Sequence, residues 1–234
     1  MRAWLAAFVM LTYALPASAE DGIGGSLSVV SDYVYRGISQ TNEQPALQGD
    51  VHYVGSRGFS VGLWASSVEL NSWDGRSMEL DAYLAYRLPL SVDWATKITA
   101  VHYAYPLNSR FDYDYDEVFG TLAFRSNLFL TAGWTFDASR YTASTRYLHS
   151  DAFSYEAAGV VPLWRALAAN LGVGHYAIQG VTGGGYTYWN VGLGYDWHDW
   201  HLELNYIDTS DNAVQLAGAQ LAGSRLTAAL LWRF

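Results

Sequence analysis

Apolar and polar residues alternate with a period of two along most of this chain, and that period predicts β-strands rather than helices. The segment 199–207 is an example, with its apolar members at Trp200, Leu202, Leu204 and Tyr206. Twelve such segments follow one another, at 26–36, 46–54, 58–66, 78–87, 91–103, 113–124, 127–136, 152–160, 166–178, 186–196, 199–207 and 225–234. The pattern predicts an all-β chain of about twelve strands in one domain.

The connections between these segments differ in length according to their order. Those after even-numbered segments are short, at 55–57, 88–90, 125–126, 161–165 and 196–199, and those after odd-numbered segments are longer, at 37–45, 67–77, 104–112, 137–151, 179–185 and 208–224. Outer-membrane β-barrels have short periplasmic turns, longer outer loops and an even number of strands. An open sheet edge is not viable in hydrocarbon, so the first and last strands must pair. We therefore expect a transmembrane antiparallel β-barrel.

The first nineteen residues have the pattern of a secretory signal peptide. Arg2 precedes an apolar stretch over 3–15, and Ala17-Ser18-Ala19 places small residues at both positions of a cleavage site. This stretch is shorter than the ~20 residues that a membrane helix needs. We expect residues 1–19 to be cleaved and residues 20–234 to form the barrel domain in the bacterial outer membrane.

The end of the chain alternates as well. Its apolar positions are Leu226, Ala228, Leu230, Trp232 and Phe234. A final strand that ends on an aromatic residue is similar to the carboxyl-terminal signal by which outer-membrane barrels are recognised for insertion. We expect these residues to be the assembly signal, read by the barrel-assembly machinery.

The composition agrees with a membrane barrel. Aromatic residues make up 16% of the chain, and Tyr and Trp are the residues of the aromatic girdles at the two membrane interfaces. Charged residues make up only 15%, against about 25% in soluble domains. The chain has no cysteine, which excludes a disulfide framework and thiolate sites. The net charge of −9 becomes −10 when Arg2 is removed, which argues against nucleic acid as a partner.

Three stretches of the first half resemble a known family. They are 31–41 with 45–49, then 62–67, then 78–86, with the sequences SDYVYRGISQT and PALQG, GLWASS, and MELDAYLAY. Together they resemble the TorF-like porins of Gram-negative bacteria, which are also catalogued as Gcw conserved hypothetical proteins. The likeness is closest over 28–86 and looser to the carboxyl terminus. It implies an outer-membrane barrel of the porin kind, without an agreed substrate.

If the apolar faces point to lipid, the opposite faces line the interior. The pore-lining candidates are Asp32, Arg36, Asp50, His52, Glu79, Asp81, Arg87, Asp93, Lys97, Glu156, Glu203 and Arg225; the same rule turns Gln48, Glu117, Asn170, Asn190, His201, Asn205 and Thr227 inward. These groups either line a wet pore that sets ion selectivity or pair across a plugged interior. Arg36 is either a constriction residue or an arginine paired with a neighbouring carboxylate.

We expect passive passage of small polar solutes, with cations preferred because of the net negative charge. The expected partners are outer-membrane lipids, the assembly machinery, small polar solutes and a second copy of the chain, with no cofactor, metal or nucleic acid.

One alternative is a non-conducting structural or interaction barrel with binding loops. A less favoured one is an outer-membrane lipid hydrolase. The run His149-Ser150-Asp151 has suitable residue types, but adjacent side chains on a strand point to opposite faces. We therefore predict that the protein is not an enzyme.

Overall fold

A computed structural model describes residues 22–70, 77–107, 114–141, 147–182 and 184–234. The strands are β1 (Gly22–Val30), β2 (Val34–Tyr35), β3 (Ile38–Ser39), β4 (Ala46–Val54), β5 (Phe59–Val68), β6 (Ser77–Pro89), β7 (Trp94–Ala104), β8 (Tyr115–Phe124), β9 (Leu128–Tyr141), β10 (Tyr147–Trp164), β11 (Leu167–Ala177), β12 (Gly185–Trp197), β13 (Trp200–Thr209) and β14 (Arg225–Arg233). The helices are α1 (Gln179–Thr182), α2 (Asp211–Ala217) and α3 (Ala219–Ala222).

Twelve of the strands, β1 and β4 to β14, form one closed antiparallel barrel. Strand β1 closes it, because Ser26 lies opposite Arg233 of β14 and opposite Asp50 of β4. Strands β5 to β13 each pair with the strands before and after them in the chain. The prediction of about twelve antiparallel strands in a barrel is confirmed.

The alternation of the sequence becomes two faces of the barrel wall. On β13, Leu202 and Leu204 are 49% and 55% exposed, whereas Glu203 between them is 1% exposed. Such a molecule is inside out relative to a soluble domain, with an apolar outer face and a polar interior. Exposed tryptophans gather at the end with the short turns, where Trp197 and Trp200 flank the β12–β13 connection. This arrangement is typical of an interfacial aromatic girdle.

Several predicted boundaries are wrong; the predicted connection 161–165, for example, is largely strand, because β10 continues to Trp164. The first predicted strand ran over 26–36, but β1 ends at Val30 and the chain then forms the separate β2–β3 pair. Alternation continues through Tyr33 and Tyr35, which is why the pattern did not reveal the break. The predicted loop 137–151 is largely strand, because β9 continues to Tyr141 and β10 begins at Tyr147.

Two of the longer connections contain short helices. Helices α2 and α3 occupy the predicted loop 208–224, and α1 lies between β11 and β12. In the described part of the chain, no helix has both the length and the apolarity to cross a membrane. The predicted signal peptide, residues 1–19, lies outside the described residues.

Candidate functional site: the interior of the barrel

The barrel interior contains most of the charged residues singled out from the sequence. Side chains that project inward from barrel strands are Asp50, His52, Glu79, Asp81, Arg87, Lys97, Glu156, Glu203 and Arg225. Asp32 and Arg36 lie on a segment that folds into the barrel and are 8% and 3% exposed.

Asp93 is the exception among the candidates. It lies in the turn between β6 and β7, where its Oδ1 accepts a bond of 2.9 Å from Nε of Arg125. Both side chains are largely in solvent, with exposed fractions of 44% and 65%. The period-two rule does not apply to a turn, so the inward placement expected for Asp93 is corrected.

The segment 31–45 forms an inward hairpin, which we call the luminal hairpin. Val34 pairs with Ser39 and Tyr35 with Ile38, leaving Arg36 and Gly37 as a two-residue turn. Their φ angles are +49° and +79°, as in the turns that suit a twisted β-hairpin. Gly37 is needed for space as well, because a Cβ there would lie 2.5 Å from Cγ2 of Thr209.

The base of the luminal hairpin is anchored by Asp32. Its Oδ1 accepts bonds from the hydroxyls of Ser39, at 2.6 Å, and Thr41, at 2.9 Å. Its Oδ2 accepts a bond of 2.9 Å from Nη1 of Arg225 on β14. Because Asp32 and Arg225 are both buried, this ion pair ties the hairpin to the wall at the seam where the barrel closes.

The tip of the luminal hairpin places Arg36 against the opposite wall. Nη1 of Arg36 donates to Oε1 of Glu117 at 2.8 Å, and Nη2 donates to Oγ of Ser154 at 3.2 Å. The centre of the guanidinium lies 4.3 Å from the ring of Tyr176 and 5.9 Å from that of Phe119. Burial lowers the pKa of Arg36, but the Glu117 carboxylate together with the phenols of Tyr35, Tyr176 and Tyr188 raises it by more, and the net pKa is well above the ordinary value. Arg36 is therefore a buried cation held by a carboxylate and aromatic rings.

Glu117 receives hydrogen bonds at both carboxylate oxygens. Its Oε1 accepts from Arg36 and from the hydroxyl of Thr135, and its Oε2 accepts from the hydroxyl of Tyr35 at 2.7 Å. Burial raises the pKa of the Tyr35 phenol well above its usual value, so Tyr35 remains a neutral donor. Arg36 was expected to be either a constriction residue or part of an ion pair, and the structure contains an ion pair. The partner carboxylate, that of Glu117, lies 81 residues away along the chain.

Two further carboxylates lie deep in the interior on β6. Asp81 is 0% exposed, and in the described part of the chain neither of its oxygens has a hydrogen-bond partner. Glu79 is 2% exposed, and its Oε1 accepts a bond of 3.4 Å from the hydroxyl of Tyr33. The outer half of the interior thus has a surplus of acidic groups around the luminal hairpin.

The half of the interior near the short turns contains a polar network on β11 to β14. Oδ1 of Asp196 bonds Nδ1 of His201 at 2.9 Å and accepts from Nη1 of Arg233 at 3.2 Å. Oε1 of Glu203 accepts from the side-chain amides of Asn170, at 3.0 Å, and Asn205, at 2.8 Å. These bonds cross β11 to β14, and they hold this part of the inner wall together.

The luminal hairpin takes up space that an open pore would need. A small cavity beside Asp32, between the luminal hairpin, β13 and β14, has a volume of about 30 Å³. A much larger groove of about 720 Å³ lies on the apolar outer face, lined by residues such as Val61, Leu84 and Val118. What the interior offers chemically is charge and hydrogen bonding.

Several residues of this site were not singled out from the sequence. Ser154, Tyr176 and Phe119 all contact Arg36, and they come from three different strands. Their inward orientation follows from the period of two. Their convergence on one guanidinium does not, because it depends on where the luminal hairpin enters.

The closed twelve-strand antiparallel barrel is similar in fold to solved outer-membrane channels. The barrel is similar to the KdgM porin, with a TM-score of 0.55 and 9% identity over 91% of this chain and 99% of that one. It is similar to the NanC porin, with a TM-score of 0.55 and 10% identity over 88% and 97%. It is also similar to the COG4313 outer membrane channel from Pseudomonas putida F1, with a TM-score of 0.57 and 11% identity over 93% and 96%. At these identities the likeness concerns the fold alone.

The family of this chain follows from its sequence. A family model described as a bacterial protein of unknown function (Gcw_chp) matches residues 14–231. The chain belongs to this family, as the resemblance of its first strands indicated. A search of curated proteins found no match.

Proposed function

We propose that this protein is a porin of the bacterial outer membrane that lets small polar solutes pass passively and prefers cations. The single observation that carries the proposal is the closed barrel with an apolar outer face and a charged inner wall. The resemblance of residues 28–86 to the TorF-like porins, and the porin-like fold, support the same function.

The cation preference rests on the balance of charge in the outer half of the interior. Glu79, Asp81 and Glu117 are all buried there, and in the described part of the chain only Glu117 forms an ion pair. Where water enters a narrow path with low-dielectric walls and these carboxyl groups are ionised, the path focuses their field and raises the local concentration of cations. Salt screens the effect over about 10 Å at 0.1 M.

The luminal hairpin also favours a second candidate function. It is held inside the barrel by two buried ion pairs, Arg36 with Glu117 and Asp32 with Arg225. A barrel filled in this way can be a non-conducting structural or interaction protein whose outer loops bind an envelope or host component. The first candidate requires the hairpin to leave a path or to move aside.

Conductance separates the two candidates. The refolded barrel is inserted into planar bilayers, and single-channel currents and reversal potentials are recorded across a KCl gradient. Discrete current steps, with a reversal potential displaced toward that of K⁺, support a cation-preferring porin. If the barrel inserts and is protected from protease but carries no more current than a control with detergent alone, the non-conducting barrel is supported.

We propose that assembly depends on the last strand. On β14, Leu226, Leu230 and Trp232 project from the outer face, and Phe234 follows the strand at 59% exposure. Such an exposed apolar row is available to the barrel-assembly machinery before the strand pairs with β1, and to outer-membrane lipids afterwards.

We propose no catalytic activity for this barrel. Nucleophilic hydrolysis needs a base within hydrogen-bond reach of the nucleophile and a group that orients the base. In the run His149-Ser150-Asp151, the side chain of His149 lies outside the described part of the chain. Incubation of the refolded barrel with phospholipid and lipid A substrates, followed by mass analysis, tests this expectation, and released acyl chains would contradict it.

A further inference from the structure

The guanidinium of Arg36 lies in a recess of the barrel wall that resembles a binding site for an organic cation. We call it the guanidinium recess and define it by Glu117 and Phe119 on β8, Ser154 on β10 and Tyr176 on β11. It offers a carboxylate oxygen at 2.8 Å, a hydroxyl at 3.2 Å and ring centres at 4.3 and 5.9 Å. These are the groups by which proteins recognise a planar cation, through a charge-assisted fork and aromatic faces.

All four residues of the recess belong to the barrel wall, and wall residues also support them, although Glu117 accepts one bond from Tyr35 of the luminal hairpin. Thr135 of β9 donates to Glu117, and its hydroxyl lies 3.3 Å from that of Tyr176. Gly133 on the same strand leaves room for the side chains of Phe119 and Ser154. A Cβ at Gly133 would come within 2.8 Å of Cδ1 of Phe119 and would overlap Oγ of Ser154.

The buried carboxylate of Glu117 makes the recess favour a bound cation. Glu117 is 1% exposed, and Arg36 is its ion-pair partner among the described residues. If the luminal hairpin withdraws to admit a solute, Glu117 keeps its bond from Thr135 but loses its counter-charge. A buried carboxylate without a counter-ion is strongly unfavourable, so the open state gains stability from any solute that supplies the same group.

We propose that the guanidinium recess binds small organic cations that carry a guanidinium group as they pass through the barrel, and that Arg36 is a tethered competitor that fills the recess in the closed state. The passage step rests on the proposed porin function, but the binding step does not. A planar guanidinium can bond Glu117 and Ser154 together while its face lies on Tyr176, which a compact alkali cation or ammonium does not reproduce.

The binding step is tested with the Arg36→Ala variant of the refolded barrel and methylguanidinium as the probe. Thermal unfolding in detergent is followed by circular dichroism over a range of probe concentrations. We expect a saturable upward shift of the midpoint in Arg36→Ala, a weaker one with methylammonium, and none in the wild-type chain, whose recess is filled. Arg125→Ala, which removes an exposed arginine, is the matched control and should behave as wild type.

A second variant assigns the binding to the recess. In Arg36→Ala/Glu117→Gln, affinity for methylguanidinium should fall at least about tenfold, because the charge-assisted bond is lost. Equal binding by both variants, or no saturable shift in Arg36→Ala, would overturn the proposal. If Arg36→Ala does not refold alone, it is refolded with each probe present. Recovery with methylguanidinium only supports the proposal, and recovery with neither or with both overturns it.

Conductance of the same samples separates this proposal from the porin function. In Arg36→Ala, methylguanidinium should block the single-channel current over the concentrations that shift unfolding, and the wild type should resist the block. Saturable binding in a variant that carries no current would support the recess and count against the porin. Current without binding or block would overturn the recess alone.

Discussion

The seating of the luminal hairpin should control how often the barrel conducts, and Gly37 allows this to be tested without altering any charged group. Its φ is +79°, a conformation that costs an ordinary residue about 1–2 kcal/mol. A Cβ there would also lie 2.5 Å from Cγ2 of Thr209 and 2.8 Å from Cβ of Tyr188. The first atom belongs to a side chain that is hydrogen-bonded to the carbonyl of Ala222, and the second is fixed to the backbone of β12, so neither moves freely.

The two costs can be added, because the strain lies in the backbone and the overlap lies between side chains. Overpacking of this kind typically costs about 1–3 kcal/mol, so Gly37→Ala should disfavour the seated hairpin by about 3 kcal/mol in all. Each 1.4 kcal/mol is a factor of ten in an equilibrium constant. The ratio of displaced to seated hairpin should therefore rise by roughly a hundredfold.

The assay is the open probability of single channels in planar bilayers, recorded for wild type and Gly37→Ala at the same salt and voltage. Gly218→Ala is the matched control, because Gly218 has a φ of +89° but no atom within 4 Å of its Cβ position. Gly218 lies between α2 and α3, so this variant adds strain at a positive φ without an overlap of side chains. We expect a large rise in open probability for Gly37→Ala and none for Gly218→Ala. A folded Gly37→Ala barrel with wild-type currents would refute the idea that the hairpin limits conduction.

Three further predictions concern selectivity, assembly and orientation. Neutralising the two buried carboxylates of β6, by Glu79→Gln with Asp81→Asn, should reduce cation preference more at low than at high salt; an unchanged reversal potential in a conducting channel would show that they do not set selectivity. Deleting Phe234 should impair outer-membrane assembly while secretion continues, measured by heat-modifiable migration and surface protease resistance; normal values would argue against the terminal signal. A cysteine at exposed Ala219 should react with an impermeant maleimide on intact cells, and one at Ser56 should not; the reverse labelling would invert the proposed orientation.

Strand number and facing were determined by the sequence alone. A period of two in a wall with one apolar and one polar environment leaves a single acceptable register, since a slip of one residue would turn every charge to the outside. This is why Glu79, Asp81 and Glu203 are all buried on the inner face. The short and long connections alternate in the structure as well, because antiparallel strands put successive connections at opposite ends of the barrel, and the short ones share one end.

The filling of the barrel was decided only by the tertiary structure. In sequence the luminal hairpin looks like the end of a strand followed by an outer loop, and its turn from the wall at residue 31 has no counterpart in the hydrophobic pattern. The ion pair of Arg36 and Glu117 joins residues 81 positions apart, and that of Asp32 and Arg225 joins residues 193 apart. Periodicity reports which face a side chain takes, a local property of the backbone. Which charges meet across the interior depends on closure of the whole sheet and on the entry of the hairpin, and these arise only when all twelve strands are in place.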